Sequence, residues 1–194
     1  MSELSQGLNK SYMNTTLPDR SLFIKSRLDL IVHEILAVGK DKIAMIILFG
    51  SYARGDWTQD IYQREHVTYS YQSDLDLMLV LKKGKYAGYQ ETNLQYKIED
   101  RLEKKLAIDI MKDPSVTLVL EQITRVNEQL DKGQYFFSDV IKEGVLLYDT
   151  GEFTLSAIKK LPWEERRKIA KEDYQSWYTR ASWFLDISRN LMIY

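Results

Sequence analysis

Apolar residues run without interruption in Ala44-Met45-Ile46-Ile47-Leu48-Phe49 and again, past a lone acid, in Leu77-Met78-Leu79-Val80-Leu81. Strand-length runs with no polar alternation suit strands covered on both faces. The first is ended by Gly50-Ser51 and the second by Lys82-Lys83-Gly84, both turn signals. Before them, Leu22, Ile24, Leu28, Ile31, Ile35 and Leu36 recur at helical spacing, which predicts a helix over Ser21 to Val38 stopped by Gly39. Ser51 to Asp56 is expected to turn into a short helical start. Trp57 to Gln72 is polar and aromatic and is expected to be a loop, with a hairpin around Val67 to Tyr71.

Further on, Gly88 to Lys105 has the pattern of a charged helix and Leu106 to Met111 that of a third short strand. Pro114, tolerated in a first turn, is expected to open a helix from Ser115 to about Leu130. Gln134 to Lys142 predicts another helix and Gly144 to Tyr148 a last strand. The character changes after Gly151. Pro162 to Tyr194 is one long helical pattern in which Trp163, Ile169, Trp177, Trp183, Phe184 and Ile187 stand among charges. A helix with so many large apolar groups needs somewhere to bury them, on the preceding domain or on another chain. The expected division is a flexible lead over 1–20, an α/β domain over 21–150 and a helical extension over 151–194.

Bulk numbers narrow the class. The chain is 44% hydrophobic and 28% charged, as a soluble globular protein is, and long enough for one cored domain plus an appendage. A net charge of -1 argues against a broad basic face for duplex nucleic acid, so a nucleic-acid partner is unsupported by charge. No apolar run approaches bilayer length and the polar N-terminus has no signal-peptide core, so neither membrane nor secretion is expected. The absence of cysteine excludes disulfides, thiolate nucleophiles and cysteine zinc sites and fits a reducing cytoplasm. The two histidines, His33 and His66, form no ligand pair by spacing.

Candidate chemistry concentrates between Leu48 and Val80. Within the second strand, Asp74 and Asp76 lie two residues apart and project on one face, with Leu75 and Leu77 on the other. Adjacent carboxylates repel unless a cation lies between them, and magnesium combines a few carboxylates with water and phosphate oxygens. Asp109, flanked by Ile108 and Ile110, is a carboxylate in an otherwise buried strand, a costly position without a partner. Set beside Asp74 and Asp76 it would complete a site for two ions, or accept the proton of an attacking hydroxyl. Asp113, close by, is the alternative third acid or a helix cap. Gly50-Ser51, between a buried strand and a helix start, lets backbone N–H groups approach a phosphate, and Arg54 can neutralise its charge. Tyr62, Tyr69 and Tyr71 could stack on a base, but ordinary loop packing explains them as well. Lys82, Lys83 and Lys85 are expected to form a solvated turn.

The order apolar strand, Gly50-Ser51, variable loop, Asp74-Leu75-Asp76 in an apolar strand and a later acid at Asp109 resembles the nucleotidyltransferase superfamily typified by DNA polymerase beta. The resemblance covers about Lys42 to Asp149 and is closer to the minimal nucleotidyltransferases fused to, or encoded beside, HEPN domains. Trp163 to Tyr194 resembles the first helix of a HEPN domain, although the histidine of the HEPN ribonuclease motif has no counterpart here, since none follows His66. The resemblance implies an α/β fold: a small mixed sheet of the polymerase beta type flanked by helices, with a C-terminal helical extension. It implies transfer of a nucleoside monophosphate from an NTP, ATP the expected one, to a hydroxyl acceptor. Two Mg2+ ions would be held by Asp74, Asp76 and Asp109, and Gly50, Ser51 and Arg54 would contact the nucleotide. The acceptor it suggests is a protein side chain in a toxin–antitoxin pair, with a HEPN protein as partner. Rival readings are a non-catalytic module that binds nucleotide or a HEPN partner, and a homodimer formed through the C-terminal helix.

Overall fold

The structure, a computed structural model, describes residues 13–82, 89–106 and 113–191. It forms two compact units, residues 1–158 and 159–194. The first is an α/β unit built on a four-stranded mixed sheet. After a 3-10 turn, Asp19–Ile24, come α1 (Lys25–Gly39), β1 (Ile43–Phe49), α2 (Gly50–Arg54), β2 (Gln59–Arg64), β3 (Val67–Gln72), β4 (Leu75–Leu81) and α3 (Tyr89–Lys105). They are followed by β5 (Val116–Gln122), α4 (Ile123–Asp131), α5 (Tyr135–Glu143) and β6 (Val145–Asp149). The sheet order is β5-β4-β1-β6, with β4 parallel to β5 and antiparallel to β1.

The two uninterrupted apolar runs are the two central strands, and the sheet is covered on both faces as such runs require. Leu75, Leu77, Leu79 and Leu81 of β4 meet Ile46 and Leu48 of β1 and Leu28, Ile31 and Ile35 of α1 in one core. Met78 and Val80 point the other way, into a second core with Ile47, Val126, Phe137 and Ile141. Period-two alternation therefore puts Asp76 on the second face, at the end where β4 begins. An ion pair from Arg101 of α3 to the buried Glu34 of α1, 2.6 Å, ties the two helices that cover the first face.

Two expectations change. The helix expected from Ser115 to Leu130 is a strand followed by a helix, β5 and α4. Val116-Thr117-Leu118-Val119-Leu120 is rich in β-branched residues, and pairing along the whole of β4 outweighs the proline's suitability for a first helical turn. β4 is paired over its full length with β1 on one edge and β5 on the other. Residues 107–112, Asp109 among them, lie outside the described residues. The expected loop 57–72 is a regular hairpin, β2 and β3, turning at Glu65-His66, both with positive φ (51° and 66°). That is the two-residue turn whose twist matches a hairpin, here without the glycine that usually announces it.

Two residues near the end of the N-terminal lead make contacts with the sheet. Met13 is buried, and the Asn14 carbonyl accepts from the Leu146 N–H at 2.8 Å, continuing the sheet beyond β6.

The second unit contains α6 (Trp163–Leu191), as the long helical pattern predicts. Its Trp163, Tyr174, Trp177, Tyr178, Trp183 and Phe184 are all more than half exposed. No helix among the described residues is long and apolar enough to cross a membrane.

Candidate active site

The C-terminal end of β1 and the N-terminal ends of β4 and β5 meet at one rim of the sheet, because β1 runs antiparallel to a parallel pair. Phe49, the last residue of β1, pairs with Asp76, so the chain must turn into α2 directly over that carboxylate. Gly50 makes the turn at φ 75°, and a Cβ built on it would overlap Asp76 Oδ2. Glycine is needed here twice: for the left-handed backbone, and because nothing larger than hydrogen fits against the acid. The first turn of α2 leaves backbone N–H groups without intrahelical acceptors at the same place. Gly50 thus stands against Asp76.

Asp74 precedes β4 by one residue and is exposed, whereas Asp76 is half-buried. The two act on each other electrostatically. Burial pushes the Asp76 carboxyl above the ordinary carboxylate value, the charge of Asp74 pushes it further, and Arg54 works against both. A half-buried acid raised by burial and by a second acid two residues away belongs to a pair whose charge Arg54 offsets only in part. Oxygen donors in that state fit a hard cation such as Mg2+, which takes one or two carboxylates and completes its shell from water and phosphate. Among the described residues no group of three acidic or histidine side chains could hold an ion, so the described donor set is Asp74 and Asp76.

Arg54 closes α2. Its Nε donates to Asp56 at 3.0 Å, its NH1 is 3.6 Å from Glu143, and the side chain is 42% exposed. It is tethered by two acids while its charge reaches Asp76. Asp113, the other candidate third acid, is paired with Arg27 of α1 at 3.1 Å, and the element that follows it is a strand, which removes the helix-cap role.

Two features of the rim have no forewarning in the sequence pattern. The hairpin is footed on an aromatic stack: Trp57 lies flat on the buried Tyr52 (centroids 5.4 Å apart, planes 6° apart), and the Arg20 guanidinium covers Trp57 at 4.5 Å. Asp74 therefore leaves a hairpin whose base is fastened to α2. Lone aromatics at positions 52 and 57 give no periodic signal that could have revealed this. The second is Ser115 at the head of β5, whose hydroxyl donates to Asp74 Oδ1. Its signal, the β-branched run that follows it, is present in the sequence but is masked by Pro114. Tyr62 and Tyr69 stack on each other across the hairpin, 5.1 Å apart, so packing accounts for them. Lys82 pairs with Glu152 at 3.0 Å, and Lys83 and Lys85 are outside the described residues.

The raised carboxyl has a consequence for stability. An acid whose pKa is higher in the folded chain than in the unfolded one stabilises the fold below the unfolded value, and that contribution is lost as pH rises through the folded value. In EDTA, the melting temperature is expected to fall as pH rises from about 4 toward 7, the range above an ordinary carboxylate pKa. Glu121, also pushed up by burial, contributes with the same sign. The part due to Asp76 is therefore the difference between the wild-type and Asp76→Asn profiles; parallel profiles would exclude it.

A family model described as polymerase beta, nucleotidyltransferase matches residues 32–153, well over half of the chain. No curated protein matches in sequence. Among solved structures, a crystal structure described as a "putative nucleotidyltransferase" from Sulfolobus solfataricus is similar at 16% identity. The match covers 71% of this chain and 90% of that one, with a TM-score of 0.38. With β1, the Gly50 turn and Asp74-Leu75-Asp76 all inside the matched span, the chain belongs to the polymerase beta nucleotidyltransferase family.

Proposed function

We propose that the chain transfers a nucleoside monophosphate from an NTP, ATP the expected donor, to a hydroxyl acceptor with release of pyrophosphate. The observation that carries this reading is the apposition of the Gly50 turn to Asp76, which sets the start of α2 beside an underneutralised carboxylate pair. Asp74 and Asp76 would hold Mg2+, whose role when bound is to neutralise phosphate charge. Two ions are expected where Asp109, assigned on sequence grounds, joins them; Asp74 and Asp76 by themselves suit one. The N–H groups at Gly50 and Ser51 would orient the triphosphate, with Arg54 contributing positive charge nearby. The acceptor oxygen forms a bond to the α-phosphorus, the bond from that phosphorus to the bridging oxygen breaks, and pyrophosphate leaves. Asp109 would receive the acceptor's proton. Such transfer rests mainly on positioning and charge neutralisation.

The acceptor is assigned by resemblance: a side-chain hydroxyl, such as a tyrosine, of a HEPN-type partner in a toxin–antitoxin pair in the cytoplasm. The exposed aromatic groups of α6 support contact with a second chain, either such a partner or another copy. The test is incubation with Mg2+ and each labelled NTP, alone and with a HEPN protein. Expected is pyrophosphate release that needs Mg2+, is fastest with ATP and rises with acceptor. No release with any NTP in the presence of acceptor would defeat the enzymatic reading in favour of a non-catalytic binding module.

A further inference from the structure

The residue at the head of the strand beside the acids presents a hydroxyl group to one of them. In the parallel register of β4 and β5, Leu75 pairs with Val116 and Asp76 with Thr117, so Ser115 stands beside Asp74 and shares its face. The Leu75 N–H donates to the Ser115 carbonyl at 2.8 Å, which sets the serine backbone independently of its side chain. From that fixed point the Ser115 hydroxyl donates to Asp74 Oδ1. Asp74 itself is outside the strand and exposed, and its neighbour Asp76 repels it. An exposed carboxylate is free to rotate about its side-chain bonds, and that freedom must be given up on binding an ion.

We infer that Ser115 is a positioning residue for Asp74: its hydroxyl holds one carboxylate oxygen and leaves the other turned toward the ion and the phosphates. The inference rests on the proposed metal role of Asp74. A donor that orients a ligating group commonly changes metal affinity by about 10-fold to 100-fold when removed. The loss is expected at the lower end here, because the carboxylate is exposed and can find water as a substitute donor.

The measurement is Mn2+ binding to the nucleotide-free full chain, read from the free-ion electron paramagnetic resonance signal, with circular dichroism to verify folding. Ser115→Ala is expected to raise the Mn2+ dissociation constant about 10-fold. Ser115→Thr, which keeps the hydroxyl and suits a strand, is expected to stay close to wild type. A Ser115→Ala constant within about twofold of wild type, well below the change such donors produce, overturns the inference. So does a Ser115→Thr protein as weak as Ser115→Ala, since bulk rather than the hydroxyl would then matter. A wild-type chain that takes up no Mn2+ removes the metal role of Asp74 and the inference together, which separates failure of the proposed function from failure of Ser115 alone.

Discussion

Asp76→Asn is expected to abolish nucleotidyl transfer and, at the same time, to raise the melting temperature of the metal-free chain. Both effects come from one charge. The carboxyl is half-buried, pushed up by burial and by Asp74, so at neutral pH its ionised form is held at a cost to the fold. The amide is nearly isosteric and removes that cost. Solvent screens a half-exposed carboxyl, so the gain is small and the melting temperature is expected to rise by about 1–2 °C. The same change removes one of the two carboxylates proposed to hold the ion, and a loss of about 10³-fold in rate, near 4 kcal/mol of barrier, is expected. Added Mg2+ should stabilise the wild type and leave the variant unchanged. Differential scanning fluorimetry with EDTA or Mg2+, beside a pyrophosphate-release assay, measures both. A variant that turns over at the wild-type rate would remove Asp76 from the chemistry.

Gly50→Ala is expected to inactivate for a different reason and with the opposite effect on stability. At φ 75° an alanine is strained, which costs about 1–2 kcal/mol. The added methyl also overlaps Asp76 Oδ2, so either the carboxylate swings away or the turn lifts off the sheet, and either movement separates the backbone N–H groups from the acid. Misplacement on this scale commonly costs about 100-fold in rate, and the melting temperature should fall by about 2–8 °C. Gly151 supplies the comparison. It has the same backbone sign, φ 73°, and a methyl group there would meet nothing within 4 Å. Gly151→Ala should therefore show the strain alone and keep full activity. Equal activity of the two variants would mean that the closeness of Gly50 to Asp76 has no part in the reaction.

Both substitutions fall on residues that the sequence alone singles out. Continuous apolar runs at 44–49 and 77–81 identify buried strands, because a strand covered on both faces has no polar side to display. Alternation then puts Asp74 and Asp76 on one face. Gly50-Ser51 directly after the first run marks the turn out of that strand. What could not be read was which strands lie side by side. Pro114 favours a helix start and the β-branched residues after it favour a strand; local preferences of similar size do not decide between them, and only the free edge of β4 does. The hairpin turn at Glu65-His66 was hidden because neither residue is the glycine or asparagine that usually occupies such a turn.

Spacing along the chain marked the two central strands, the acid pair and the glycine after the first strand, and the resemblance those residues carry implied the α/β class. Tertiary structure decided that β5 flanks the acids, that Ser115 reaches Asp74, and that Asp113 pairs with Arg27. Those are contacts between residues distant in the chain. They depend on which edge of the sheet is left to pair, a property of the assembled layers that no local run of residues carries.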